Sequence, residues 1–251
     1  MTSKGPSLSL AIPIYNEARN IERVLKKVVS ALSDWTDDFE IILVESGSTD
    51  GTRELVRRLS QEDPRIRVIH EMNREGYGNA IKLGLTNGTK EIVGYIDADE
   101  PFDTMRIGEG LEHLKEHDAV IGYRIGPREN VKRLIVSRTY NVMIRLLFGL
   151  RVRDVNFSFK VFHRRVLDRI RVRSRGAFID AELLLEARKA GFRMYEHGFE
   201  FMPRDTGDST LFRVSVVCNI LLEMVRYWLG PWRVHLTAGR HPEDNKQLPA
   251  R

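Results

Sequence analysis

Short apolar runs alternate with segments of helical spacing through the first hundred residues, and the runs end on polar or acidic side chains. Residues 8–13, 40–44, 65–70 and 92–96 read as strands. Between them, residues 17–32 carry Ile21, Val24, Leu25 and Val28 on one helical face. Ser48-Thr49-Asp50-Gly51 supplies cap residues for a helix running to about Glu62, and a third helix over 77–85 is closed by Asn87-Gly88. This alternation predicts an α/β protein: a mostly parallel sheet with helices on both faces. In such sheets ligands bind beyond the carboxyl ends of the strands.

The fourth run, Ile92-Val93-Gly94-Tyr95-Ile96, is followed at once by Asp97-Ala98-Asp99. Residues two apart in extended chain share a face, so both carboxylates aim into one small volume. Like charges that close repel unless a proton or cation offsets them. Oxygen-only ligands suit a hard cation, Mg²⁺ or Mn²⁺, completed by substrate phosphates. Two more strand ends carry polar groups: Ile12-Pro13-Ile14-Tyr15-Asn16-Glu17, and Val44-Glu45-Ser46-Gly47-Ser48-Thr49-Asp50-Gly51-Thr52. Their spacing brings all three to one sheet edge, which suits a nucleoside and a metal-bound diphosphate.

Charge is unevenly spread. Between Arg124 and Arg175 there are 15 Lys/Arg against three acids, a net of +12; the whole chain carries +5, so the remainder carries −7. A basic middle in an otherwise acidic protein points to an anionic partner. Residues 131–150 form a basic amphipathic helix in which Leu134, Ile135, Val142, Met143, Leu146 and Leu147 interleave with Lys132, Arg133, Arg138 and Arg145. Residues 211–232 are strongly apolar, but their longest uncharged stretch, 214–222, is too short to span a bilayer. Trp228 and Trp232, beside Arg226 and Arg233, suit a membrane interface. The single cysteine, Cys218, excludes an internal disulfide and fits a reducing compartment. Residues 1–6 lack the apolar stretch of a secretory signal.

In order along the chain, these segments resemble family 2 glycosyltransferases of the GT-A fold, a Rossmann-like nucleotide-diphosphosugar transferase fold. The likeness is greatest to the dolichyl- or polyprenyl-phosphate mannosyl- and glucosyltransferase group. That group reads P-x-Y-N-E, V-D-D-G-S-x-D-G-T, G-x-G-x-A and D-A-D. The Gly-rich counterpart here is Gly76-Tyr77-Gly78-Asn79-Ala80. Ser137-Arg138, residues 154–160 (DVNFSFK) and Arg204 with Gly207 and Ser209 resemble its acceptor-side segments. The likeness covers about residues 8–212.

The resemblance implies that Pro13, Tyr15, Glu17, Glu45, Ser46, Gly76, Asp97 and Ala98 hold the nucleotide sugar. Asp97 and Asp99 would hold Mg²⁺ or Mn²⁺, while Arg124, Arg138 and Arg204 would bind donor or lipid phosphates. Catalysis would rest on Asp97, Asp99, Arg138 and Asp154. Three positions depart from the family pattern. Glu45-Ser46 stands for Asp-Asp; Pro101 stands where Gln often ligates metal, leaving Glu100 or Asp103 to substitute; Thr210 stands for a common Lys.

The reading is an inverting enzyme that moves mannose or glucose from GDP-mannose or a UDP-hexose to a dolichyl or polyprenyl phosphate. It would sit peripherally on the cytoplasmic face of a membrane. Residues 1–210 would form the catalytic domain, 211–232 an amphipathic C-terminal helix and 233–251 a flexible tail. A lipid phosphate monoester is largely dianionic near pH 7, with a second pKa of about 6, so it needs no strong base. A sugar hydroxyl would need one, for which Asp154 or Asp180 are candidates. The rivals are a saccharide or small polar acceptor, and a silent nucleotide-sugar or nucleic-acid binder. No nucleic-acid motif accompanies the basic segment, so nucleic acid is not expected. A homodimer is left open, because the basic helix could equally serve a subunit contact.

Overall fold

The computed structural model describes residues 4–71, 74–99, 102–126, 131–200 and 214–229. Seven strands form one sheet in the order β3-β2-β1-β4-β6-β5-β7. They are β1 (Leu8–Ile14), β2 (Phe39–Glu45), β3 (Ile66–His70), β4 (Ile92–Ile96), β5 (Ala119–Ile125), β6 (Phe159–His163) and β7 (Met194–Glu200). Strands β1 to β4 are mutually parallel, as are β5 and β7; β6 alone runs antiparallel to both of its neighbours. Because β6 is reversed between them, β4 and β5 point the same way. The carboxyl ends of six strands and the amino end of β6 therefore meet along one edge.

The helices are α1 (Ile21–Trp35), α2 (Thr52–Glu62), α3 (Tyr77–Asn87), α4 (Ile107–Leu111), α5 (Val131–Phe148), α6 (Arg164–Arg169), α7 (Ile179–Lys189) and α8 (Val214–Leu229). Helix-covered strands are buried on both sides, which is why β1, β2 and β4 read as nearly unbroken apolar runs. In β1 the alternation sorts the core: Leu10 and Ile12 pack with α1, α2 and α4, while Ala11 joins the opposite layer with Ile81, Ile144, Leu184 and Met224. That second layer gathers α3, α5, α6, α7 and α8.

Two local expectations change. The first helix begins at Ile21 rather than near Glu17, because Asn16 takes a left-handed conformation (φ 57°) and the Glu17 and Ala18 amides turn aside to Thr52 and Asp50. The sequence pattern after Asp103 predicts a helix to about Glu116, but the chain there is broken into 3₁₀ turns (Thr104–Arg106 and Glu112–Lys115) flanking α4. Gly108 and Gly110 weaken helix propagation there. The amphipathic helix expected over 131–150 is α5, and that expected over 211–232 is described as α8; the tail expected over 233–251 lies outside the described residues.

Candidate active site

The first two strand ends are bound to each other through their loops. The Asn16 amide donates to Ser48 Oγ (3.0 Å), and the Thr49 amide donates back to Asn16 Oδ1 (2.8 Å). The Glu17 amide donates to Thr52 Oγ1 (2.9 Å), and Ala18 to Asp50 Oδ2 (3.1 Å). Asn suits this corner, being one of the few side chains tolerated in the left-handed region. The result is a backbone platform with Tyr15 exposed on it, and the Arg74 guanidinium 3.4 Å from the centre of the Tyr15 ring. Pro13 ends partly buried on β1, level with Val44 of β2.

Glu45 is fully buried, and its carboxylate works inward. Oε1 accepts the Ser48 amide (2.5 Å); Oε2 meets His70 Nδ1 (3.1 Å), with Arg53 Nε at 3.7 Å. Burial alone would raise this carboxyl, but the Ser48 amide, His70 and Arg53 hold it below its ordinary value. Glu45 therefore braces the second loop from below. Its neighbour Ser46 is also buried, its amide donating to the Ile14 carbonyl (3.1 Å).

Gly76 and Gly78 owe their identity to a close approach. Gly76 has φ 110°, and a Cβ there would stand 2.6 Å from the Arg175 carbonyl oxygen; at Gly78 it would stand 2.4 Å from that of Gly176. Only glycine lets α3 begin this near another backbone. Between them, Tyr77 donates its hydroxyl to Asp97 Oδ1 (2.9 Å). Burial, and then the neighbouring Asp97 carboxylate, push the Tyr77 phenol well above its ordinary value, so it keeps its proton. Asp97 and Asp99 are both half-buried just past β4, with Ala98 buried between them. Asp103 is occupied: its Oδ1 accepts the Met105 amide (3.1 Å) and caps a 3₁₀ turn. Among the described residues no three His, Cys, Asp or Glu side chains gather as a metal cluster. A cation at Asp97 and Asp99 would take phosphate and water oxygens alongside them, the arrangement Mg²⁺ commonly accepts.

A second group of residues lies further along the same edge. Arg124, near the end of β5, and Arg138 on α5 line one cavity of about 570 Å³ together with Arg145 and Arg153. Leu134, Val142 and Val152 form its apolar wall. Asn141 ties α5 to the loop before β6, accepting the Val155 amide (3.0 Å) beside the buried Asp154. Sequence reasoning named Arg124 and Arg138 for phosphate, placed Arg145 only on the basic helix and gave Arg153 no role; the basic excess of this segment was their signal. Arg204, together with Glu100 and Pro101, lies outside the described residues.

One cluster beneath the site was not foreseen. Lys160, fully buried on β6, places Nζ 2.5 Å from Asp180 Oδ1 and 2.7 Å from the Phe157 carbonyl. Tyr95 of β4 also donates its hydroxyl to Asp180. Asp180 is therefore committed to a buried ion pair, which removes it as a candidate base.

A mostly parallel seven-stranded sheet flanked by helices, with its polar strand ends gathered at one edge, is the architecture of the GT-A fold. Residues 9–171 match the model of Glycosyl transferase family 2, and the chain belongs to that family. It is 33% identical over 237 residues to glycosyltransferase AglD of Haloferax volcanii, covering 90% of this chain but 38% of that protein. It is 29% identical over 213 residues to polyprenol monophosphomannose synthase of Mycolicibacterium smegmatis (80% of this chain, 79% of the relative). It is 24% identical over 230 residues to undecaprenyl-phosphate mannosyltransferase of Micrococcus luteus (87% and 93%). Glucosyl-3-phosphoglycerate synthase from Mycobacterium tuberculosis, solved with Mn²⁺ and UDP-glucose, shares the fold with a TM-score of 0.67 and 21% identity, over 88% of this chain and 79% of that one.

Proposed function

We propose that this chain is an inverting glycosyltransferase that moves a hexose from a nucleotide sugar to a polyprenyl or dolichyl phosphate at a membrane surface. The observation that carries this reading is the pairing, on one sheet edge, of the Asp97/Asp99 carboxylates with a cavity lined by four arginines. Two curated relatives named for mannosyl transfer to polyprenyl phosphates, each covered over more than two thirds of its length, support it.

On the donor side, Tyr15 presents a ring for the nucleoside base, and Asp97 and Asp99 would hold Mg²⁺ or Mn²⁺ against the diphosphate. When bound, such a cation offsets negative charge on the departing diphosphate. On the acceptor side, Arg124, Arg138, Arg145 and Arg153 offset the charge of a phosphate monoester that must approach another anion. Arginine suits this task through its bidentate grip on phosphate. A phosphate oxygen of the acceptor then bonds to the anomeric carbon. The bond from that carbon to the diphosphate oxygen breaks, and the electron pair leaves with the nucleotide. No proton need be removed from a dianionic acceptor, so Asp154, buried beside the cavity, would shape the site.

Ile135, Val142, Leu146 and Leu147 on α5, with Leu222, Val225, Trp228 and Leu229 on α8, leave large apolar side chains exposed. The two helices meet through Phe148 and Tyr227 (ring centroids 5.4 Å apart). Among the described residues no helix is long and apolar enough to cross a membrane. These faces would rest on the cytoplasmic leaflet, their arginines toward anionic head groups. The test is transfer to a short polyprenyl phosphate with Mg²⁺ or Mn²⁺, offering GDP-mannose, UDP-glucose and UDP-N-acetylglucosamine separately. A glycolipid from one donor would establish the reaction. No transfer from any donor to the lipid, alongside transfer to a saccharide, would overturn the acceptor.

A further inference from the structure

Helix α8 carries the proposed membrane face on one side and a hydrogen-bonding carboxylate on the other. Glu223 reaches into the loop before α7: Oε1 accepts the amides of Arg175 (3.0 Å) and Gly176 (3.1 Å), and Oε2 accepts the Ser174 hydroxyl (2.7 Å). A second carboxylate, Glu182 of α7, accepts the amides of Arg173 (3.0 Å) and Ser174 (2.7 Å). Four consecutive residues are thus held by two acids from two helices.

The far side of this loop meets the donor site. The Arg175 carbonyl accepts the amides of Gly78 (2.9 Å) and Asn79 (3.3 Å), and the Arg175 side chain pairs with Glu75 (3.2 Å). The loop backbone is packed so closely on Gly76 and Gly78 that no side chain fits between. The residue between those glycines is Tyr77, whose hydroxyl holds Asp97. A continuous chain of contacts therefore runs from α8 through the loop and the first turn of α3 to one of the paired carboxylates.

We propose that Glu223 and Tyr77 are positioning residues for the donor site, Tyr77 orienting Asp97 directly and Glu223 holding Tyr77 in place from α8. The inference rests on the donor role given above to Asp97. It makes α8 a structural support of donor binding as well as a membrane contact. Main-chain donors to Glu223 transmit position because the link from its carboxylate to the first turn of α3 runs through the backbone of residues 175 and 176, which cannot swing aside as a side chain can.

Calorimetric binding of UDP and of GDP, each with Mn²⁺ and without acceptor or lipid, reads this directly. Tyr77→Phe is expected to weaken the bound nucleotide about tenfold, the size of one lost hydrogen bond to a charged group. Glu223→Ala should weaken it several-fold, with Glu223→Gln restoring part of the loss. The double variant should be no weaker than Tyr77→Phe alone, because the two act on one carboxylate. Tyr227→Phe is the control: it removes a different anchor of α8, the hydroxyl bond to Glu186 (2.6 Å), and should leave binding unchanged. Additive losses, an unaffected Glu223→Ala, or an equal loss in Tyr227→Phe would overturn the relay while leaving the donor site standing. A folded wild type that binds neither nucleotide would overturn the donor reading and the relay together.

Discussion

The two halves of the site are built differently. On the proposed donor half, the ends of β1 and β2 are cross-bonded by backbone amides, Glu45 is buried under its loop, and Asp97 is held by Tyr77. On the proposed acceptor half, Arg138, Arg145 and Arg153 are exposed around an open cavity. The first half is preorganised, so its groups lose little freedom on binding; the second offers a field to an anion that arrives with its own flexible chain. The difference matches what each half would receive: a rigid nucleotide, or a mobile lipid.

Substitutions can separate the halves. The largest effect is expected from Asp99→Ala, which should lower transfer about 10²–10³-fold, the several kcal/mol that a bound cation supplies to developing negative charge. Next is Lys160→Met. Leaving Asp180 buried without its partner should cost about 3–5 kcal/mol of stability, visible in a urea titration. Arg138→Ala should raise the acceptor KM about tenfold with little change in donor KM, the cost of a charge-assisted contact. Added salt should imitate that variant, because exposed charges are screened and the buried donor-side bonds are not.

A last effect falls on stability alone and is a pH dependence. Burial first of all pushes the Glu182 carboxyl from 4.5 up to about 7, even though it accepts two amides. The folded protein therefore binds a proton that the unfolded chain has released between those values. Stability should fall as pH rises from about 4.5 to 7 and level off above, and Glu182→Gln should flatten that slope in urea midpoints.

Much of the donor half could be read from the chain because each piece is local. A strand, its polar end and the next helix cap lie within ten or so residues, so Asp97, Asp99, Tyr15 and the Ser48–Thr52 loop could be placed by periodicity and spacing. What could not be read was contact between distant segments. Lys160, Asp180 and Tyr95 come from β6, α7 and β4, and nothing in the local pattern of any one names the others. The same holds for Tyr77 on Asp97 and for Glu223 on the 174–176 loop. Gly76, expected at the nucleotide sugar, and its neighbour Gly78 also have a packing reason that only the fold shows, the Arg175 and Gly176 carbonyls. Glu45, expected at the nucleotide, also has a bracing role that its own segment did not show, because its acceptors bond to its own loop and to β3. Arg145 and Arg153 needed the fold to bring α5 against the loop before β6.

The most direct test of the two-half account is an initial-rate study varying both nucleotide sugar and short-chain polyprenyl phosphate, for wild type, Asp99→Ala and Arg138→Ala. The account predicts that Asp99→Ala loses kcat and donor affinity, whereas Arg138→Ala raises only the acceptor KM. Equal loss of both affinities in Arg138→Ala, or a rate independent of the lipid phosphate, would contradict it.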